Sequence, residues 1–475
     1  KYAHQNVAFK AVDAAAGKYQ VVNRFYFTNL KKYAVQYELR ANGIVVRKGK
    51  LTLDVAPQAE KEFSIPVKNM KGKAGVEYFV HFSVLTTQPE PLIPAGYEIA
   101  YEQFRLPADA DKVVYKTSGP ALNPKEEGSN LVVSSPKVYF EFNRASGMVT
   151  SYKVNGIEYF DKGFGVQPNF WRAPNDNDYG NTNPKRLQIW KMSSRNFKVS
   201  DASVRMKGKN AVVSAVYTLP AGNQYLVDYK IYPDGVVNVA VKFTSTNQNA
   251  VETDILEDTH LATYTPGKKQ EKKNQLEVPR IGVRFRIPQE MNVVEYFGRG
   301  PEENYIDRNA GTMIGRYRTT ADDMYVNYVR PQENGHRTDT RWVALTDKEG
   351  RGLLIQADQT IGFNALRNTV EDFDSEESSH PYQWRNRSPE EIEDHNVDEA
   401  RNVMRKMTHV NDVIFRDFVE VCVDMKQHGV AGYDSWGAKV QPGYTIPANQ
   451  DYEWGFTLVP VRTENDLDRS LRYDY

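Results

Sequence analysis

The chain has 475 residues, 40% of them hydrophobic and 26% charged; this is ordinary globular composition, but too long for one core, so two or three domains are expected. Lys+Arg and Asp+Glu each total 61, giving zero formal net charge; this excludes the basic excess that a nucleic-acid or anionic-membrane partner would need. One cysteine, Cys422, excludes an internal disulfide and a thiolate zinc site, and no apolar run approaches the roughly 20 residues that span a bilayer.

Aromatics make up 12% of the chain, with 29 Tyr and 21 Phe. Rings fit pleated, half-buried surfaces, so β structure is favoured. The chain opens Lys1-Tyr2-Ala3-His4 with no initiator Met and no signal peptide, as a piece of a longer protein would.

In the first stretch Val21, Asn23, Phe25 and Phe27 alternate with Val22, Arg24 and Tyr26, which predicts a strand. Tyr33 to Arg40 and Ile44 to Gly49 flank Asn42-Gly43, a hairpin signal because a type I′ turn needs positive φ at both central residues. Leu51 to Val55 and Tyr78 to Leu85 are further strand candidates. Together they predict a small antiparallel sandwich over residues 1–110.

Residues 111–130 hold Pro120, Pro124, Lys125, Glu126, Glu127 and Gly128 without periodicity, and read as a linker. From 131 to 475 the strand pattern returns. Val138, Phe140 and Phe142 alternate with Tyr139 and Glu141, and Asn155-Gly156 turns the chain after Met148 to Val154. Pro233-Asp234-Gly235 joins Tyr225 to Tyr232 with Val236 to Phe243, and Asp347-Lys348-Glu349-Gly350 separates Trp342 to Leu345 from Leu353 to Ala357. Many hairpins with little helix predict one large antiparallel sandwich. The helix signal that stands out is Ser388-Pro389 with Glu391, a capping box opening the polar segment Glu390 to Lys406, read as an inserted helix or excursion.

Four groups of residues carry chemistry. Asn169 to Asp178, with Asn175 and Asp176, is dense in amides and carboxylates; such groups bind hydroxyls or calcium, or simply hold a loop through Asx turns. Gly298-Arg299-Gly300-Pro301 lacks a phosphate loop's glycine spacing, and its Pro removes an amide donor, so it reads as a strand-to-turn junction. Glu333, Asn334 and His336 form a polar loop; Glu and His together are the side chains for acid–base work on a sugar ring oxygen, or are tied down by their own hydrogen bonds. Tyr433-Asp434-Ser435-Trp436-Gly437 sets a Trp in a polar turn, where it docks on a neighbouring domain or offers a flat apolar face to a sugar. The eight histidines form no chelating pair. Cys422, inside Phe418 to Val423, reads as a small buried hydrophobe in a strand rather than a reactive thiol.

In combination these segments resemble the tail of the glycoside hydrolase family 2 β-galactosidases. His4-Gln5-Asn6-Val7 and Val22 to Leu30 are similar to the immunoglobulin-like domain that follows the catalytic barrel. Asn169 to Asp178, Pro279-Arg280-Ile281-Gly282, Gly298 to Tyr305 and Arg330 to Gly335 are similar to the terminal small-chain domain. The resemblance implies an all-β chain: an immunoglobulin-like sandwich, then a large galactose-mutarotase-like antiparallel super-sandwich. It implies a parent that hydrolyses terminal β-D-galactosides, lactose among them, with retention. It also implies that Trp436, with Asp434 beside it, reaches into the barrel's active site to contact substrate; Asn175, Asp176, Glu333, Asn334 and His336 are weaker candidates.

The turn departs from the family pattern at Tyr433 and in Gly429-Val430-Ala431-Gly432. No Asn-Glu dipeptide exists to carry the barrel's acid/base, and no βα alternation builds a barrel, so no catalytic residue is assigned in this chain. By the same resemblance the parent's Mg and Na ions belong to the barrel, and this chain's own residues hold no metal. The partners implied are a galactoside, the barrel and a further copy in a homo-oligomer. A cytoplasmic or a periplasmic location both fit. The rival readings are an aldose epimerase using Glu333 and His336, and a scaffold for oligomerisation without sugar contact.

Overall fold

Asn42 and Gly43 have φ of 45° and 82°, and Asn155 and Gly156 have 52° and 84°, the left-handed pairs that a type I′ turn requires. Each closes its hairpin as the sequence predicts, pairing Ala41 with Ile44 and Val154 with Ile157. The computed structural model describes residues 1–67, 70–108, 110–219, 222–245, 277–374, 397–398, 403–404, 409–434 and 437–475.

The first unit is an immunoglobulin-like sandwich. One sheet orders Ile44–Leu51, Tyr33–Ala41, Tyr78–Thr86 and Glu98–Leu106; the other orders Val7–Asp13, Lys18–Asn23 and Glu60–Ser64. Their inner faces share a core in which Phe82 meets Phe9, Tyr19 and Phe63. Two strand predictions end early. The alternation from Val21 stops at Asn23, whose side-chain amide donates to Thr28, Val55 and Ala56 carbonyls and pulls the chain into a loop. That leaves Tyr26 and Phe27 exposed. Leu51 to Val55 is a strand only at Leu51, although Leu53 and Val55 are buried.

The second unit stacks a five-stranded sheet on a twelve-stranded one, the large antiparallel super-sandwich expected. Along the large sheet run Gln167–Asn169, Arg280–Pro288, Phe418–Gln427, Gly352–Leu366, Tyr452–Val461, Val237–Thr244, Gln224–Ile231, Asn210–Thr218 and Lys198–Lys207. Val293–Gly300, Met313–Thr320 and Arg337–Thr346 branch from it. The Pro233-Asp234-Gly235 and Asp347 to Gly350 turns pair Ile231 with Val237 and Thr346 with Gly352. Residues read as linker include a strand, Asn123–Glu127, paired to Asn130–Ser134 in the five-stranded sheet. Val113–Val114 pairs in parallel with Tyr473–Asp474.

Helices are short. Gln188–Arg195 buries Trp190, and Glu464–Ser470 is capped by Thr463; neither was predicted. Ser388 to Glu391 lies outside the described residues. Within the segment read as an inserted helix or excursion, Val397–Asp398 and Val403–Met404 are paired antiparallel strands rather than helix. Among the described residues no helix is long and apolar enough to cross a membrane.

The two units touch through Phe79 edge-on to Phe297, through Gln103 exchanging hydrogen bonds with Ile314, and through Arg341 gripping Glu77 at 2.8 and 2.9 Å.

Cys422 lies in strand Phe418–Gln427, buried on the large sheet, and burial pushes its thiol well above the ordinary range. A thiol reagent should therefore label Cys422 only after denaturation. Rapid labelling of native protein would contradict this placement.

Candidate functional site

Three of the singled-out segments converge in one polar cleft of about 560 Å³. Asn175, Asp176 and Asn177 come from the first, Glu303 and Tyr305 from the second, Arg330, Gln332 and Glu333 from the third, with Arg308, Tyr328 and Val329 beside them. Val430 brings in the loop that runs on to Asp434.

Local hydrogen bonding fixes each wall. Asn175 caps helix Asp176–Gly180 by accepting from the Asp178 amide at 2.9 Å, while Asp178 accepts from the Asn175 amide at 3.1 Å. That capping box uses the groups the sequence offered for calcium or hydroxyl binding. Asp178 also meets Arg172 at 2.9 Å, both side chains being 1% exposed. Asp176 points outward, 73% exposed, and pairs with Arg330 at 3.5 Å. The Arg330 guanidinium lies 3.9 Å over the Tyr179 ring.

Glu303 is the carboxyl in the floor. It accepts from Tyr328 and, at 2.7 Å, from the Gly335 amide. Burial outweighs these contacts and raises its pKa, so its protonated form is favoured more than usual. Sequence reading held Glu303 and Tyr305 within a family-like segment without giving them a role, and passed over Arg308 and Tyr328. The signal available was the paired carboxylates that follow Pro301.

Beneath the cleft is a buried network centred on Arg280. Its guanidinium is 3.2 Å from Glu333 and 3.2 Å from Asp424, donates to Asn364 at 3.0 Å and to Gln427, and reaches the Trp171 carbonyl. Burial disfavours the Arg280 charge, but Asp424 and Glu333 more than compensate. Burial also pushes the Asp424 carboxyl up to about 7 against the pull of Arg280. Arg280 keeps its charge because two carboxylates face it.

The predicted residues separate accordingly. Glu333 lines the cleft, but its Oε1 is occupied by Arg280 and by Asn364 at 2.8 Å. Asn334 is buried, accepting from the Val326 amide and donating to the Gln332 carbonyl. His336 is 1% exposed, with Nδ1 on Asn364 at 2.9 Å. The Tyr305 ring stacks on it, and Gly362 packs against its Cε1 and Nε2, where a Cβ would meet the ring at 2.6 Å. Buried in this way, His336 does not reach the cleft that Glu333 lines, so the pair named for the epimerase reading does not converge there. Asp434 is exposed at the far end of the loop and accepts from the Ala438 amide at 3.1 Å. Ser435 and Trp436 lie outside the described residues. Among the described residues no three His, Cys, Asp or Glu side chains are grouped as a metal would need.

Residues 134–458 match the family model described as beta galactosidase small chain. The chain belongs to that family. Residues 19–107 match the model for domain 4 of β-galactosidase. The β-galactosidase of Priestia megaterium is 31% identical over 97% of this chain and 39% of its own length. That of Halalkalibacterium halodurans is 27% identical over 96% of this chain and 40% of its own length. The chain thus spans about two fifths of the relatives it matches. Among solved structures, a galactose mutarotase related enzyme from Lactobacillus acidophilus is 9% identical with a TM-score of 0.35, covering 70% of this small-chain protein and 98% of its own length. A score that low supports no functional argument.

Proposed function

We propose that this chain is the C-terminal part of a family 2 β-galactosidase that cleaves terminal β-D-galactosides with retention. Its division would be an immunoglobulin-like unit over 1–110 and the small-chain unit over 131–475. The remainder of the parent would supply the catalytic barrel, its two carboxylates and its Mg and Na ions. This chain would supply the outer wall of the active site, with the Asp434 to Trp436 turn contacting the substrate.

The observation that carries the reading is the convergence of three family-like segments in one open polar cleft, which Val430 of the loop leading to that turn also lines. The cleft presents amides and tyrosines with charges of both signs, carboxylates and arginines, which suits the hydroxyls of a neutral sugar rather than a phosphate or a metal. Val329 and Tyr433, 81% and 62% exposed, add apolar surface at the cleft and on the loop. Exposed apolar surface beside a cleft favours a partner at that face.

The test is a galactose titration read by tryptophan fluorescence, on the wild type and on Trp436→Ala. The expected result is a saturable change in the wild type that the variant loses. A response retained in Trp436→Ala would remove the Trp from the site. Silence in both proteins would leave the chain a scaffold, with no sugar wall of its own. The same chain should also fail to turn over a nitrophenyl galactoside, and measurable turnover by the pure protein would refute its dependence on the barrel.

A further inference from the structure

The loop after strand Phe418–Gln427 is held by side chains from two distant segments. Arg172 donates to the His428 and Gly429 carbonyls, each at 3.1 Å, and Asn177 donates to the Val430 carbonyl at 3.0 Å. Opposite them stands the dipeptide Asp307-Arg308. The two carboxylate oxygens of Asp307 accept from successive amides, Val430 at 3.0 Å and Ala431 at 2.9 Å. Arg308 donates to the Ala431 carbonyl. One dipeptide thus occupies three of the four main-chain groups of Val430 and Ala431, and Asn177 takes the fourth.

Those groups belong to a backbone that does not hold itself. Ala431 has φ +54° and Gly432 φ +86°. A left-handed residue with a Cβ is disfavoured and persists only where its surroundings impose it. The surroundings here fit closely. A Cβ on Gly429 would meet the Asp307 carboxylate at 2.5 Å, and one on Gly432 would meet Asn177 at 2.6 Å and Arg308 at 2.7 Å. Arg308 also lines the cleft, beside Tyr305 and Glu303. The same dipeptide therefore shapes both the cleft wall and the root of the turn at Asp434.

We infer that Asp307 and Arg308 are positioning residues, which set the course of the loop 428–434 and through Val430 the wall that the cleft offers to a sugar. The inference rests on the proposed function for what the loop contacts, but not for how the loop is held. Neither residue touches the sugar in this scheme through a reacting atom. Asp307 acts through two amides, so an amide side chain can replace it only by half, with one acceptor oxygen instead of two.

The experiment uses the whole chain in three variants, Asp307→Ala, Asp307→Asn and Arg308→Lys. Two readouts are taken: hydrogen exchange at the Val430 and Ala431 amides, and galactose affinity. Asp307→Ala should speed exchange at both amides at least tenfold and weaken galactose binding by a similar factor. Asp307→Asn should protect one amide of the two and recover part of the affinity. Arg308→Lys should shift affinity with smaller effect on exchange. A thermal melt of each variant separates these local effects from loss of the fold, and the Asn and Lys variants stand in if the Ala variant does not fold.

Unchanged exchange at Val430 and Ala431 in Asp307→Ala would overturn the inference. So would faster exchange with unaltered galactose affinity, because the loop would then be held without being used. If wild type does not bind galactose at all, the proposed function fails instead. The inference is then decided by exchange and by the Trp436 contribution to emission, taken as the difference between each protein and its Trp436→Phe form. A difference spectrum that Asp307→Ala leaves unmoved would overturn it.

Discussion

Replacing Arg280 by Ala should lower the unfolding free energy by roughly 3–5 kcal/mol, the cost of leaving buried charge without its partner. Glu333 and Asp424 each lie 3.2 Å from the guanidinium, and Arg280 and Asp424 are 0% exposed. Three large-sheet strands meet here, carrying Arg280, Asn364 and Asp424, so the loss should be global rather than confined to the cleft. Adding Asp424→Asn to the Arg280→Ala protein should return part of the stability, because one of the two uncompensated charges is then gone. Denaturant midpoints of the single and double variants measure both effects. A loss below about 1 kcal/mol, the scale of a solvated surface pair, would show that water enters the cluster and that the network is not what holds the strands.

His336 should withdraw stability as pH falls below about 6.5, before Glu277 and Glu371 contribute. Burial, and then Arg280 beside it, push the His336 imidazole down to about 3, against about 6.5 in an unfolded chain. The unfolded state therefore binds the proton first. The stability gained by keeping His336 neutral is complete above about pH 6.5 and drains away as pH falls toward 3, by up to about 1.4 kcal/mol per unit. Glu277, which His428 and Arg186 hold at about 2 despite its burial, acts in the same direction at lower pH. So does Glu371, held at about 2 against burial by Arg284 and Arg195.

Asp424, 3.9 Å from His336, opposes them. Its raised pKa makes folding take up a proton there, so falling pH through 7 adds stability from that group. The net profile mixes the two, and the His336→Gln variant separates them. Gln keeps a polar partner for Asn364 and does not titrate. Its urea midpoint should fall less steeply than the wild type's between pH 6.5 and 4. Parallel curves would show that His336 is already protonated in the fold or is reached by solvent.

The local features of this chain were legible because their causes are local. Asn42-Gly43 and Asn155-Gly156 must turn, since positive φ at two successive positions admits few other residues. Alternation along Val138 to Phe142 must present one face to a core, since side chains on a strand repeat every second residue. The family-like segments were also legible, as were Asn175, Asp176 and Glu333, three of the cleft's lining residues.

What the tertiary structure decided is which of those polar groups face solvent and which are sealed. His336 and Glu333 sit three residues apart, yet one is buried against Tyr305 and Gly362 while the other borders the cleft. Arg172, Arg280 and Arg284 are buried, Arg172 against Asp178 of its own segment and the other two against carboxylates brought from elsewhere in the chain, Asp424 and Glu371. Asp307 and Arg308 have no local pattern at all. Their role arises from amides more than 100 positions away, at Val430 and Ala431. Alternation and turn chemistry fix the faces of single strands. The partner of a buried charge is fixed by strand order and by loops crossing the same sheet edge, and that information lies in no window of neighbouring residues.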